Sequence, residues 1–262
     1  MSTKTEVIEQ ANSYLKHAES FHEAIKPLTD VLDDFTIEDA YNTQLKGIDE
    51  KVSNGAKIVG KKIGLTSAAM QNLLGVDQPD YGHLLDSMKV EHDGEISLAT
   101  LFQPKVEGEI AFVLKEDLHG PNVTAEEVLK ATAYIVPSLE IVDSRIKDWK
   151  IKLEDTVADN ASSGLFVVGP KESSPSIDLP SVHMQLLCNG EVVNEGVGAD
   201  VLGSPATCVA WLANKLHEYG VSLKKGEVIL SGALSAAVAA KPGDTFTAKF
   251  TDLGEVTVHF VK

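Results

Sequence analysis

The sequence predicts an α+β fold, in which a mixed, curled β-sheet carries a helical layer at the N-terminus. Two observations support this prediction. In residues 1–56, apolar side chains recur every three or four positions, which is the period of an amphipathic helix. From residue 57 to residue 262, short β-rich runs are separated by Gly, Pro, Asn and Asp. We therefore predict a helical N-terminal region over 1–56 and a mixed-sheet core over 57–262.

Two helices are predicted in the N-terminal region. Their apolar residues at helical spacing are Val7, Ala11, Tyr14, Leu15 and Ala18 in the first helix, and Ala40, Tyr41, Leu45 and Ile48 in the second. Thr36 supplies a capping hydroxyl for the second helix, and the acidic Glu38 and Asp39 follow in its first turn. Pro27 separates the two helices, and Asn54-Gly55 ends the second one. The first 54 residues therefore resemble a small helical hairpin.

Five segments of the core have the composition of β-strands. They are KIVGKKIGL (57–65), VEGEIAFVL (106–114), AYIVPSLEIVD (133–143), SGLFVVG (163–169) and VHMQLLCNGEVV (182–193). Hairpin turns are predicted at Asn189-Gly190 and at Leu253-Gly254, because the residues on both sides of each turn are strand-like. Helices are predicted over 68–74, 125–131 and 205–219, the last with proline in its first turn.

The charge of the chain excludes several kinds of partner. Asp and Glu number 39 against 23 Lys and Arg, which gives a formal net charge of −16. Nucleic acids and anionic membranes are bound through clustered basic residues, and here the basic residues occur singly or in pairs. With 43% hydrophobic and 24% charged residues, the composition is that of a globular protein. We therefore expect no nucleic-acid or membrane partner.

The two cysteines, Cys188 and Cys208, have neither the number of a disulfide framework nor the spacing of a zinc site. Buried free thiols are typical of a reducing compartment. The first twenty residues lack the apolar stretch of a signal peptide, and no apolar run approaches the ~18 residues of a membrane span. These features predict a cytoplasmic protein.

Three glutamates occur in segments that are otherwise apolar. Glu107 and Glu109 are two residues apart in a strand, so their side chains point to the same face, about 6 to 7 Å apart. Glu140 interrupts another apolar run, where an unpaired carboxylate would be costly to bury. Three carboxylates without His or Cys ligands suit a hard cation, Mg²⁺ or alternatively Mn²⁺. The other interpretation is a solvated edge strand, although Gly108 favours the close approach of a ligand or another backbone.

Lys62 is a further candidate. It shares one face of its predicted strand with Gly60 and Gly64, which would leave an open concavity around the ammonium group. Such a lysine can bind an anion or transfer a proton. The alternative is a lysine at the margin of the sheet whose stem lies on apolar surface.

Other polar positions have two interpretations each. The loop Asp77–Gly82 is either a solvated turn or part of a site, and the segment 159–164, which contains Asn160 and Ser162, offers hydrogen-bond donors or forms a turn. Ser231 is a candidate binding hydroxyl, and His83 is expected to be structural. Neither a glycine-rich phosphate loop nor a GxSxG motif occurs, so nucleotide binding and serine acyl chemistry are not supported.

Several motifs together resemble one known family. They are GKKIGLTS (60–67), GVDQPDYG (75–82), QPKVEGEI (103–110), VPSLEIVDSR (136–145), VADNAS (157–162), KGEVILSG (225–232) and KPGD (241–244). In this order they resemble the hydratase/decarboxylase family of meta-cleavage aromatic catabolism, within the wider fumarylacetoacetate hydrolase superfamily. The resemblance covers nearly the whole chain. Segments 77–80, 145–149 and 155–157 are closer to the hydratase branch than to the decarboxylase branch.

The resemblance implies a barrel-like sheet that binds Mg²⁺ or Mn²⁺ through Glu107, Glu109 and Glu140. The implied reaction adds water to 2-hydroxypenta-2,4-dienoate and gives 4-hydroxy-2-oxopentanoate. Lys62 and Asp77 would act as catalytic acid and base, with roles that can be exchanged. Three weaker candidates, Asn160, Ser162 and Ser231, would bind the small-molecule substrate.

Three alternatives stay open at this point. The first is a 4-oxalocrotonate decarboxylase that uses the same metal site but must also seat a second carboxylate. The second, a C–C bond hydrolase of the superfamily, would need a base such as a His-Glu pair beside the metal, and the sequence offers none. The third is a non-catalytic scaffold that partners a pathway enzyme. The resemblance also implies a homo-oligomer, with or without an associated pathway enzyme.

Overall fold

The computed structural model of the chain describes residues 3–67, 71–72 and 75–262. Its α-helices are α1 Lys4–Phe21, α2 Leu28–Val31, α3 Ile37–Ser53, α4 Ala125–Ala131, α5 Leu153–Ala158 and α6 Pro205–His217. Its strands are β1 Ile58–Gly64, β2 Asp80–Leu85, β3 Lys89–Val90, β4 Gly94–Ser97, β5 Lys105–Leu114, β6 Thr132–Val142, β7 Ser163–Val168, β8 His183–Cys188, β9 Glu191–Val197, β10 Val228–Ala233, β11 Val238–Ala239, β12 Thr245–Phe250 and β13 Gly254–Val261.

The described strands form two mixed sheets. The first has the order β2-β1-β10-β5-β6-β7-β3, with β11 also paired to β5, and the second has the order β4-β13-β12-β8-β9. β1 and β10 run parallel although they are far apart in the sequence, whereas β5, β6 and β7 form an antiparallel meander. The α+β prediction is therefore confirmed, and all five predicted strand segments are strands.

The N-terminal helices begin and end close to the predicted positions. Thr36 caps α3 and forms a capping box with Asp39, which satisfies free N–H groups at the start of the helix. The helical region is tied to the sheet by Gln44, whose amide donates to the carbonyl oxygens of Tyr81 (2.9 Å) and Val157 (2.8 Å). The predicted boundary at residue 56 falls between α3 and β1. Because α3 is bonded to the core in this way, the separation into two units stays a prediction.

The first sheet curls until its β2 edge approaches the start of β7. The Asn160 side chain closes this gap, because it accepts a hydrogen bond from the His83 N–H (2.7 Å) and donates one to the His83 carbonyl (2.9 Å). Gly82 lies against the carbonyl of Asn160, where a Cβ atom would not fit. The inner face of the curl is filled by an apolar cluster of Leu84, Ala111, Val136, Phe166 and Leu230.

The second sheet packs on the outer face of the first. A Cβ atom at Gly108 would lie 3.0 Å from the sulfur of Met184 and 3.4 Å from the Cβ of Ala248, which both belong to the second sheet. Because side chains alternate along a strand, Glu107 and Glu109 point away from this interface and into the curl. Both predicted hairpins are present, and Asn189 and Gly190 adopt the positive φ values (54° and 86°) of a tight turn.

The structure differs from the sequence-based predictions in the segment 77–82 and at the end of the last long helix. Asp77–Gly82 is not a loop throughout, because Asp80 begins the fully buried strand β2, which pairs with β1. The last long helix ends at His217 instead of Tyr219. The helix predicted over 68–74 falls mostly on residues outside those that the structure describes.

Across the described part of the chain, we find no helix that is both long and apolar enough to cross a membrane.

Candidate active site

Strand register brings the three glutamates together. Glu107 on β5 lies directly opposite Glu140 on β6. Glu109 lies two residues further along β5, on the same face of the sheet. One carboxylate oxygen from each residue lies within 4.8 Å of the other two. Glu109 and Glu140 are each 1% exposed, whereas Glu107 is half-buried. The residues selected from the sequence therefore form one compact cluster on the inner face of the curled sheet.

Burial and mutual repulsion make this cluster costly in its fully ionised form. Burial, followed by the nearby charge of Glu140, raises the pKa of Glu107 to about 7. Burial also raises the pKa of Glu109 well above its usual range, and Glu140 and Glu107 add to this shift. A bound dication would reverse both effects, because it favours the charged carboxylates.

The cluster fits a divalent cation. Among the described residues, the Oε1 atom of Glu109 and the Oε2 atom of Glu140 are buried and have no hydrogen-bond partner. Most buried acceptors have a hydrogen-bond partner, so two unpartnered oxygens in one cluster need an explanation, and a bound ion is one. The other oxygen of Glu109 accepts a hydrogen bond from the N–H of Gly232 (2.8 Å), which leaves Oε1 aimed into the cluster. A donor set of carboxylate oxygens alone suits Mg²⁺, Mn²⁺ or Ca²⁺ better than Zn²⁺.

Lys62 lies beside this cluster. Its Nζ atom is 3.0 Å from Oε1 of Glu140, and the residue is 3% exposed. Burial lowers the pKa of Lys62, but the charges of Glu140, Asp80 and Glu107 outweigh that effect and raise it above its usual value. The ammonium group therefore stays charged in the folded protein.

The two glycines near Lys62 have different functions. Gly64 makes room for the carboxylate of Asp80, because a Cβ atom at Gly64 would occupy the same space. The Nζ atom of Lys62 lies close to this position as well. Gly60 instead packs against the backbone of Val228 on the neighbouring strand β10. The predicted concavity beside Lys62 is thus formed at Gly64 and not at Gly60.

Asp80 lies beside Lys62, next to the cluster, and the sequence analysis missed it. It is buried at the start of β2, opposite Gly64, and its Oδ1 atom has no hydrogen-bond partner among the described residues. Burial raises the pKa of Asp80, the charge of Lys62 opposes this, and the charge of Glu140 adds to it. The available signal was an acidic residue directly before the strand-like run YGHLL (81–85).

Asp77, by contrast, is exposed in the loop before β2. None of the contacts found among the described residues joins it to the cluster. The structure therefore does not support the sequence-based expectation that Asp77 is a catalytic acid or base, and Asp80 is the aspartate beside Lys62.

The three residues predicted to bind substrate are already engaged within the protein. Both polar atoms of the Asn160 side chain bond to the backbone of His83. The hydroxyl of Ser162 lies 3.1 Å from that of Thr156, and Ser231 donates to the carbonyl of Ile110 (2.7 Å). These contacts give the three side chains structural roles, and substrate binding by them stays a prediction.

His83 has the structural role that was expected. Its Nδ1 atom lies 3.1 Å from Oε1 of Gln44. Since the Gln44 amide nitrogen donates to two carbonyls, its Oε1 is an acceptor, and we assign the proton to Nδ1 of His83.

Comparison with known proteins identifies close relatives. Residues 75–261 match the model of the fumarylacetoacetate (FAA) hydrolase C-terminal family. The chain is 47% identical to 2-hydroxyhexa-2,4-dienoate hydratase of Comamonas testosteroni over 100% of both chains. It is also 47% identical to 2-keto-4-pentenoate hydratase of Paraburkholderia xenovorans (strain LB400), over 96% of this chain and 94% of that protein.

Among solved structures, 4-oxalocrotonate decarboxylase from Pseudomonas putida G7 has a similar fold. The complex of that enzyme with magnesium and adipate superposes with a TM-score of 0.95 at 38% identity, covering 100% of this chain and 99% of that one. A second complex, with calcium and acetate, gives a TM-score of 0.93 at 37% identity and the same coverage. Hydratases and a decarboxylase are thus both similar to this chain over at least 96% of its length.

Proposed function

Because the chain belongs to the fumarylacetoacetate hydrolase family, we propose that its carboxylate cluster is the active site of a metal-dependent hydratase. The reaction adds water to 2-hydroxypenta-2,4-dienoate and forms 4-hydroxy-2-oxopentanoate, a step of meta-cleavage aromatic catabolism. One observation carries this proposal: three inward-facing glutamates on adjacent strands lie beside a buried, charged lysine. The relatives at 47% identity that are named as hydratases indicate hydration as the reaction.

Glu107, Glu109 and Glu140 would hold the divalent cation, and we propose Mg²⁺ as the physiological ion. When bound, the cation supplies Lewis-acid polarisation of a 2-oxo acid and favours its enolate form. The solved relatives contain magnesium or calcium, which supports a hard cation with oxygen ligands. The unpartnered oxygens of Glu109 and Glu140 are the part of the structure that supports this assignment.

Lys62 is suited to proton delivery and to holding negative charge. We propose that its ammonium group lies against the 2-oxygen side of the substrate. Lys62 gives a proton to C5 of the dienol, and the C2 hydroxyl gives its own proton back to Lys62. This step converts the dienol to a conjugated enone. Because Lys62 is held by Glu140, its position is fixed before the substrate arrives.

Asp80 is suited to activate water. Its raised pKa allows it to take a proton from the attacking water while oxygen forms a bond to C4, and to return that proton to C3. Asp80 thus replaces Asp77 in the proposed mechanism. Because the raised pKa of Lys62 keeps its ammonium group charged, Lys62 is the acid and Asp80 is the base.

A decarboxylase is the second candidate, because the fold is close to that of a decarboxylase along its whole length. That reaction uses a dicarboxylate, so its site must seat a second carboxylate. The hydratase relatives are more similar in sequence, with 47% identity against 38%. A non-catalytic scaffold is disfavoured because the charged cluster is kept intact. A cytoplasmic location and assembly as a homo-oligomer remain predictions from the sequence.

The test is to offer freshly generated 2-hydroxypenta-2,4-dienoate to the protein in MgCl₂ and in EDTA. We expect rapid loss of the dienol absorbance in MgCl₂ only, with 4-hydroxy-2-oxopentanoate as the product. Parallel assays with 2-hydroxyhexa-2,4-dienoate and with 4-oxalocrotonate define the chain length and detect CO₂ release. Unchanged absorbance of both dienols in MgCl₂ would refute the hydratase, and CO₂ from the dicarboxylate would favour the decarboxylase.

A further inference from the structure

Lys105 is a second positive charge near the glutamate cluster, and the mechanism above gives it no role. It lies on β5 at position i−2 from Glu107 and i−4 from Glu109, so all three side chains share one face of the strand. Steps of two residues along a strand are about 6 to 7 Å. Lys105 and Glu107 are half-buried, whereas Glu109 is buried. Along this face of the strand, the side chains therefore become less exposed from the accessible Lys105 at one end to the buried Glu109 at the other.

Trp149 holds the Lys105 ammonium group. The Nζ atom lies 4.2 Å from the centroid of the indole ring, within the range of a cation–π contact. The indole N–H donates to the carbonyl of Gln103 (3.1 Å), two residues before Lys105, so the ring is fixed to the same segment. Asp148 and Trp149 both have positive φ values, 60° and 53°. This left-handed backbone conformation is unfavourable for residues other than glycine, and here two successive residues adopt it. Such strain often marks a functional site.

The proposed substrate is an anion that must enter a negatively charged site on a chain of net charge −16. Lys62 is 3% exposed and already paired with Glu140, so its charge is not accessible to a substrate that is still outside the site. Lys105 is accessible and near enough to Glu107 to act on it electrostatically. An accessible cation at this end of the strand would raise the local concentration of an anion.

We propose that Lys105, held over the Trp149 ring, receives the carboxylate of the incoming substrate at the mouth of the site. This inference rests on the proposed function, because it requires an anionic small molecule as substrate. Lys105 then acts in capture and not in the chemical step. Its removal should change KM and the dependence on salt while kcat is kept.

The test compares Lys105→Met with Lys105→Arg and with Lys249→Met, which removes an exposed lysine on β12. We expect Lys105→Met to raise KM by about tenfold with kcat within about twofold, and to flatten the fall of kcat/KM with NaCl. Lys105→Arg and Lys249→Met should stay close to the wild type. Trp149→Leu should raise KM by about threefold, and Trp149→Phe, which keeps an aromatic face, by less.

Two further measurements distinguish substrate capture by Lys105 from an effect of Lys105 on metal binding. Calorimetric titration with Mg²⁺ alone should show affinity at least as high in Lys105→Met as in the wild type, because a positive charge near Glu107 has been removed. A weaker Mg²⁺ affinity, an unchanged KM, or an equal effect of Lys249→Met would overturn the proposal. If the wild type hydrates neither dienol, the proposed function fails, and oxalate binding to the Mg²⁺-loaded protein tests Lys105 separately. Oxalate binding about tenfold weaker in Lys105→Met supports the proposal, whereas equal or absent binding in both proteins overturns it.

Discussion

Glu107 and Glu140 are direct cross-strand partners on the antiparallel strands β5 and β6, with their carboxylates on the same inner face. Like charges in this position destabilise a sheet, and burial increases the cost. The arrangement therefore stores an unfavourable interaction that a dication relieves. The same register explains why the metal-free and metal-loaded proteins should respond in opposite ways to the loss of one carboxylate.

Glu107→Gln should stabilise the protein in EDTA and weaken its metal binding. Removal of one like charge should raise the free energy of unfolding by about 1 kcal/mol in the absence of metal. The Kd for Mg²⁺ should rise by at least about tenfold, because a ligand is lost. Thermal unfolding in EDTA and calorimetric Mg²⁺ titration measure the two effects. Glu116→Gln, at an exposed position, is the matched control and should change neither value.

Asp80→Asn should lower kcat by about 10²- to 10⁴-fold, the usual contribution of a general acid or base. Asp77→Asn should leave kcat within about twofold, because Asp77 is exposed. Steady-state loss of dienol absorbance at saturating Mg²⁺ measures both variants. The opposite ranking, with Asp77→Asn as the inactive variant, would return the water-activating role to Asp77.

Gly232→Ala should weaken metal binding through Glu109. The Gly232 N–H holds one oxygen of Glu109, and its φ of +107° together with the close contact of Thr66 leaves no space for a Cβ atom. A methyl group should shift this N–H, destabilise the protein by about 1 to 3 kcal/mol and raise the Kd for Mg²⁺ by about tenfold. Calorimetry and urea unfolding report the two effects.

Gly243→Ala is the control for backbone strain alone. Gly243 has a φ of +89° but open space around it, so alanine should cost stability without any change in the Kd for Mg²⁺. If both glycine variants bound Mg²⁺ as tightly as the wild type, Gly232 would have no positioning role.

The sequence predicted those parts of the site that depend on local pattern. Glu107 and Glu109 share a face because of the two-residue period of a strand, and Glu140 is conspicuous because its neighbours are apolar. The cap at Thr36 is equally local, since Asp39 follows it by three positions. These features could be predicted because each lies within one element.

The contributions of Asp80 and Gly232 depend on pairings between distant strands. Asp80 lies beside Lys62 only because β2 pairs with β1 and places Asp80 opposite Gly64. Gly232 reaches Glu109 across 123 positions of sequence, after β10 has inserted between β1 and β5. A single sequence does not show which residues of two distant strands pair with each other. A proline in the segment 77–82 was therefore sufficient to suggest a loop there.

His83 should make the stability of the protein fall between about pH 7 and about pH 5. Burial, followed by the charge of Lys61, lowers the pKa of His83 from 6.5 to about 3. Below pH 6.5 the unfolded chain therefore takes up a proton that the folded chain does not, and stability is lost as the pH falls toward 3. Between pH 7 and pH 5, His83 should lower the free energy of unfolding by about 2 kcal/mol.

His83→Gln removes this titration and keeps an N–H that can donate to Gln44. We expect the variant to be less stable than the wild type at pH 7, because a buried ring is replaced, but to lose about 2 kcal/mol less on acidification. Urea unfolding in EDTA at both pH values measures the difference, since the carboxylate cluster affects both proteins alike. His17→Gln, at an exposed position on α1, should follow the wild type. Parallel pH profiles for the wild type and His83→Gln would show that the buried imidazole has no part in the acid sensitivity of this fold.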